Sequence, residues 1–206
     1  MRHAQRERIM VVPLSYVVAH TQSGLMMRQY KDDQSPQVRR SQAEVIRRLL
    51  YLGIVEHERC VGAVVGQPVS RRLAIPGKPD RAGQHPFIAM TEAMQAVAGP
   101  PEPQLVARTD IPVADREVTP VRFAVWPSGR RFDGEHILVL DDTWTTGSRT
   151  QSAALLLRQH GAVHVSVMTV ARWLDRSWAP TKAFVGSRLT TAFAPNRCPV
   201  TGTACP

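Results

Sequence analysis

Two adjacent carboxylates, Asp141 and Asp142, stand directly after four apolar residues, Ile137 to Leu140. Two residues further on begins a small hydroxyl-rich turn, Thr145-Thr146-Gly147-Ser148. The apolar run is short, includes β-branched members and shows no polar alternation, which predicts a strand buried on both faces of a parallel sheet. After the turn, Ala153, Ala154, Leu156 and Leu157 recur at helical spacing. A helix start offers backbone N–H groups and the positive end of the dipole, a combination that favours a phosphate. Gly147 lets the backbone approach closely, and the threonines add hydroxyl donors. The carboxylates would repel a phosphate, so they suit sugar hydroxyls or a Mg²⁺ ion one sugar-width away. Phosphate, diol and cation together describe a sugar phosphate. The plainer reading is a surface turn whose Asp residues cap a helix.

Strand, two acids, two further residues, Thr-Thr-Gly and helix, in that order, resemble the phosphoribosyl-diphosphate (PRPP) signature of type I phosphoribosyltransferases. The resemblance implies that Asp141 and Asp142 are the catalytic pair addressing the ribose 2′- and 3′-hydroxyls. It implies that Thr145, Thr146, Gly147, Ser148 and Arg149 wrap the 5′-phosphate, and that Mg²⁺ enters with PRPP. This chain departs from the pattern twice. It has Thr143-Trp144 where aliphatic residues are usual, and Arg149 where Thr is usual. Arg149 can pair with the phosphate or crowd the loop.

These residues need a frame. At 206 residues, one domain over 1–206 is expected. A hydrophobic content of 43% is that of a globular chain. The net charge of +9 suits a polyanionic ligand (a diphosphate, a nucleotide or nucleic acid) but also suits solubility alone. Three cysteines do not form a disulfide framework, which points to a reducing, cytoplasmic setting. No apolar run reaches the roughly 18 residues of a membrane span. Basic residues precede an apolar stretch at the N-terminus, but Pro13 interrupts it, so the stretch reads as a first strand.

Met10 to Val18 is expected as an edge strand or hairpin arm, and Gly24 to Asp32 as part of a polar link. Ser35 and Pro36 open a helix as N-cap and first residue, and Gly53 is expected to stop it. The interleaved arginines 39, 40, 47 and 48 read as a solvated face. Val61 to Gly66 is expected as the first central strand. Pro76 to Pro86 reads as a loop, Pro86 to Val97 as a helix and Gln104 to Ala107 as a short strand. Arg122 and Phe123 precede a turn at Pro127-Ser128-Gly129. Val163 to Ala171 completes a strand–helix–strand unit with the phosphate loop at the carboxyl edge of the sheet. The tail, Ser187 to Pro206, reads as irregular.

Leu14-Ser15-Tyr16, Gly24-Leu25 and Tyr30-Lys31-Asp32 before a helix are similar to the opening of ComF-type phosphoribosyltransferases, associated with DNA uptake. Relatives often carry a four-cysteine zinc module upstream, and Arg81, Gly83 and Gln84 echo a further family segment imperfectly. His85 is explained equally by function or by its place before a helix. The resemblance implies an α/β type I phosphoribosyltransferase-like fold. In it, a central, mostly parallel sheet is flanked by helices, with a core of about 36–175. A small hood would come from about 10–32 and 176–206. It implies that Ser70 and Arg71, after the first central strand, hold the diphosphate; Arg71 offers phosphate oxygens a bidentate fork. Residues 108–120 fall where such enzymes carry a flap that excludes water, or form an ordinary loop. Cys198 and Cys205 match no standard zinc knuckle, and with Cys60 and His57 far upstream the thiols are expected unpaired, with no metal site.

Two functions follow as expectations. One is transfer of ribosyl 5-phosphate from PRPP to an unidentified nitrogen nucleophile. The other is a non-catalytic sensor of PRPP or nucleotides, or a ComF-like accessory that handles single-stranded DNA. A homodimer is compatible with either, and no membrane partner is expected.

Overall fold

The computed structural model describes residues 9–77, 84–95, 103–190, 194 and 197–206. Its centre is β5 (His136–Trp144), in which residues 136–140 are all buried. Alternation along this strand serves two cores. Leu138 and Leu140 join one cluster, with Ile46, Leu50, Phe87 and Met168. Ile137 and Val139 join the other, with Leu105, Phe123, Ala153 and Leu157. A strand covered on both faces has no use for polar alternation, as its sequence predicts.

The neighbours of β5 are β6 (His164–Leu174) and β2 (Arg71–Ala74), and β1 (Met10–Val18) pairs with β6 at the edge. All three pairings are parallel. The described residues therefore form an α/β fold whose central sheet is parallel and four-stranded, in the order β1-β6-β5-β2, flanked by helices. Helices α1 (Gln22–Asp32), α2 (Pro36–Val65) and α3 (Pro86–Gln95) contribute to the first core, and α4 (Ser148–Gln159) to the second. A separate antiparallel pair, β3 (Gln104–Ala107) and β4 (Phe123–Trp126), also packs into the second core. Helix α5 (Ala179–Arg188) follows β6. Among the described residues no helix is long and apolar enough to cross a membrane.

Several sequence expectations are corrected. Gly53 does not stop α2, which opens at Ser35 and Pro36 and runs on to Val65. Gly53 is buried mid-helix because Leu14 occupies its open side: a Cβ there would lie 2.5 Å from Leu14 Cδ1. Val61 to Gly66 is consequently not a strand but the last turn of α2, closed by Gly66 at φ +85°. The polar link at 24–32 is helix α1, with Met27 and Tyr30 turned into the core. Residues 10–18 belong to the sheet, as its edge, so of the expected N-terminal hood only α1 lies outside it. Segment 108–119, expected as a flap or an ordinary loop, joins β3 to β4 of the separate antiparallel pair. Helix α5 and strand β4 had no forecast.

The three cysteines are free, as expected, but the tail does not run apart from the fold. Its residues 197–205 return to α2, so that His57, Cys60, Cys198 and Cys205 bring their ligand atoms within 4.8 Å of one another. Arg81 and Gly83 lie outside the described residues, as do 96–97 of the forecast third helix and parts of the loop and tail.

Candidate functional site

At the carboxyl end of β5, the edge where parallel α/β sheets open a crevice for ligands, the chain turns directly into α4. Thr145 to Gly147 form the turn, and Ser148 is the first helical residue. Gly147 has φ +75°, the left-handed region, and a Cβ on it would lie 2.2 Å from the Trp144 ring. Only glycine fits both constraints. Thr145 and Thr146 are exposed, whereas Gly147 and Ser148 are buried. The Ser148 hydroxyl donates to the Asp115 carbonyl at 3.1 Å, and the Thr119 N–H donates to Ser152 Oγ at 3.1 Å. The β3–β4 connection therefore lies against the first turn of α4.

The two acids diverge because strand side chains alternate. Asp142 turns toward α1. Its Oδ2 accepts from the Tyr30 hydroxyl and lies 2.5 Å from Lys31 Nζ and 3.8 Å from His85 Nε2. Burial alone would raise the Asp142 carboxyl, but Lys31 and Tyr30 outweigh it and hold the group below its ordinary pKa. Asp141 has no such partner set. Burial and the Asp142 charge beside it push its carboxyl up to about 8, with Lys31 and Arg149 opposing only in part. The pair is thus split into one fixed carboxylate and one group that awaits positive charge or hydroxyl donors.

Both acids line a cavity of about 340 Å³, within the size range of small-ligand sites. Lys31, Arg28 and Arg149 supply positive charge, Thr145 borders it, and Trp173 and Phe87 give apolar wall. Ile75, Pro76 and Gly77, which follow β2, form another side. Arg149 donates to the carbonyls of Pro76 and, at 3.3 Å, Gly77, and its guanidinium lies 5.5 Å from the Phe123 ring centroid. Arg149 thus ties the start of α4 to the segment after β2. His85 has two roles at once: its Nδ1 accepts from the Phe87 N–H at 3.2 Å, while Nε2 faces Asp142.

Ser70 and Arg71 are not part of this cluster. Arg71 opens β2 and Ser70 directly precedes it, so neither follows a strand, because 61–65 is helix. Arg71 is level with Ile137, eight residues before Thr145, so about 25 Å of strand separates them. Ser70 Oγ accepts from the His136 N–H at 3.1 Å, and Arg71 pairs with Glu135 at 3.1 Å. The diphosphate assignment of these two residues rested on the wrong strand.

Of the residues singled out in the sequence, Asp141, Asp142, Thr145 and Arg149 line the cavity, whereas Thr146, Gly147 and Ser148 do not; Arg28, Lys31 and His85 join the lining, and Tyr30 reaches Asp142. Tyr30 and Lys31 were visible only as part of a motif, and nothing local shows that α1 reaches β5. Of these residues Asp141 could hold a divalent cation. Asp141 is the carboxylate that an added cation would favour, and Mg²⁺ characteristically takes one or two carboxylates plus phosphate oxygens and water. No protein-family model matches the chain, and no curated protein shows significant similarity to it.

Proposed function

We propose that this protein binds PRPP with Mg²⁺ and acts as a type I phosphoribosyltransferase on a nitrogen nucleophile. One observation carries the reading. A split acid pair at the tip of a buried parallel strand is followed at once by a left-handed glycine turn into a helix, and the acids, Thr145 and Arg149 line one cavity with Arg28, Lys31 and Asp32. In this reading Thr145, Thr146 and the first amides of α4 hold the 5′-phosphate. Asp141 and Asp142 receive the ribose hydroxyls, with Lys31 and Tyr30 fixing Asp142 in place. The diphosphate lies toward Pro76-Gly77, with Lys31 and Arg28 supplying charge. Mg²⁺, when bound, would be held at Asp141 and by the diphosphate oxygens, and neutralises charge on the leaving group.

The reaction breaks the bond from C1 of the ribose to the diphosphate oxygen and forms a bond from C1 to the acceptor nitrogen. Diphosphate leaves with the electron pair, and the acceptor's proton goes to solvent or to a basic group. The chain contributes placement and charge: the turn anchors one end of the sugar phosphate, the cations steady the other, and reactive atoms are held in line. In this reading segment 108–119, which rests on the first turn of α4, would serve to limit water at an electron-poor C1.

Calorimetry with PRPP and Mg²⁺ tests the reading. The wild-type chain should bind, and Asp141→Asn with Asp142→Asn should not; equal binding by both would end it. A second reading, sensing without turnover, draws on Asp142 already being engaged by Lys31 and Tyr30. Release of diphosphate with any panel of nitrogenous acceptors would exclude it. The same holds for its nucleic-acid variant, which requires salt-sensitive binding to single-stranded DNA.

A further inference from the structure

We infer that His57, Cys60, Cys198 and Cys205 form a structural zinc site that fastens the C-terminal segment to helix α2. His57 and Cys60 lie three apart, hence on one face of α2. Cys198 and Cys205 come from the tail, and all four ligand atoms fall within 4.8 Å of one another. Cys205 Sγ is 3.6 Å from His57 Nδ1. Tetrahedral zinc with bonds of about 2.0–2.3 Å places its ligand atoms roughly 3.4–3.8 Å apart, so small side-chain adjustments complete the polyhedron. Three sulfurs and one imidazole, with no oxygen ligand, select zinc over magnesium or calcium.

The tail is shaped for this role. The Gly202 N–H donates to the Cys198 carbonyl at 2.8 Å, and the Cys198 N–H to the Thr203 carbonyl at 2.9 Å. Gly202 has φ +77°, which lets the chain reverse between the two cysteines. Thr201 Oγ1 donates to the Ala204 carbonyl at 2.8 Å. Yet of residues 197–206 only Cys198 is buried, and Val200 alone adds partial packing to the core. So little apolar contact does not offset the ordering of such a segment; a metal clip does. No disulfide joins these cysteines. On binding, the three thiol protons pass to solvent, and three thiolates with a neutral imidazole surround the ion.

The pattern was hidden because its halves lie far apart in the chain. A His-x-x-Cys on a helix and a Cys-x₆-Cys tail are each unremarkable alone. The site is independent of the sugar-phosphate cavity.

Elemental analysis of the full-length chain, expressed with zinc and purified reduced, should find about one zinc per chain. Replacement by Co²⁺ should give tetrahedral ligand-field bands and thiolate-to-cobalt charge transfer. Cys60→Ser and the exposed Cys205→Ser should each lower zinc content at least about tenfold. Asp141→Asn should leave zinc content unchanged. Stripping zinc from the wild-type chain should speed proteolysis within 197–206. Less than about 0.1 zinc per chain with no cobalt spectrum, zinc unaffected by both cysteine variants, or a Cys198–Cys205 disulfide in the reduced preparation would overturn the assignment.

Discussion

The Lys31 ammonium lies 2.5 Å from Asp142 Oδ2, joining the end of α1 to the carboxyl tip of β5 across 111 positions of sequence. Both side chains are largely shielded, at 20% and 10% exposure, so neither partner is easily satisfied by water when the other is removed. Lys31→Met should therefore destabilise the chain by about 1–3 kcal/mol, mostly through the stranded carboxylate. Adding Asp142→Asn should recover much of that loss. Urea unfolding of the four proteins of this cycle gives the coupling; a value near zero would mean that the pair contributes nothing.

The raised Asp141 pKa has a stability consequence with a definite sign. In the folded chain the group keeps its proton up to about 8, whereas in the unfolded chain it loses it near the ordinary carboxyl value. Between those pH values the native state binds more protons, so stability from this group falls as pH rises from about 4 to about 8. Asp141→Asn should therefore raise the melting temperature at pH 8, by roughly 2–4 °C for each kcal/mol relieved. It should change it much less at pH 4. Identical shifts at both values would contradict the assignment.

Gly147 and Gly129 separate backbone strain from crowding. Both have φ near +75°, but a Cβ at Gly129 meets nothing within 4 Å, whereas at Gly147 it meets the Trp144 ring. Gly129→Ala should cost about 1–2 kcal/mol, the left-handed penalty alone. Gly147→Ala should cost more and should also displace the turn, removing the thermal shift produced by PRPP. Thermal denaturation with and without ligand measures both effects.

The two arginines first assigned to phosphate groups should behave oppositely. Arg149→Met frees the Pro76-Gly77 segment and should weaken PRPP binding by at least about tenfold. Arg71→Met breaks the pair with Glu135 at the far edge of the sheet. It should leave PRPP affinity within about twofold, because distant sites act independently. Titration calorimetry distinguishes the two outcomes.

What the sequence determined by itself is local. Ile137 to Leu140 announce a strand with no wet face, Gly147 announces a turn that admits no Cβ, and Ser35-Pro36 announce a helix start. In each case the physics lies within a few residues of the signal. Packing between distant segments decided the rest. Gly53 reads as a stop signal until Leu14 is seen filling the space beside it. That one misreading turned a helix end into a strand and sent Ser70 and Arg71 to the wrong edge of the sheet. The split between Asp141 and Asp142 depends on α1 lying against the tip of β5. The convergence of His57 and Cys60 with Cys198 and Cys205 depends on a tail that crosses back to α2. Contacts spanning a hundred residues or more leave no periodic trace in the chain, because each partner is chosen by shape and charge complementarity only after the elements have assembled.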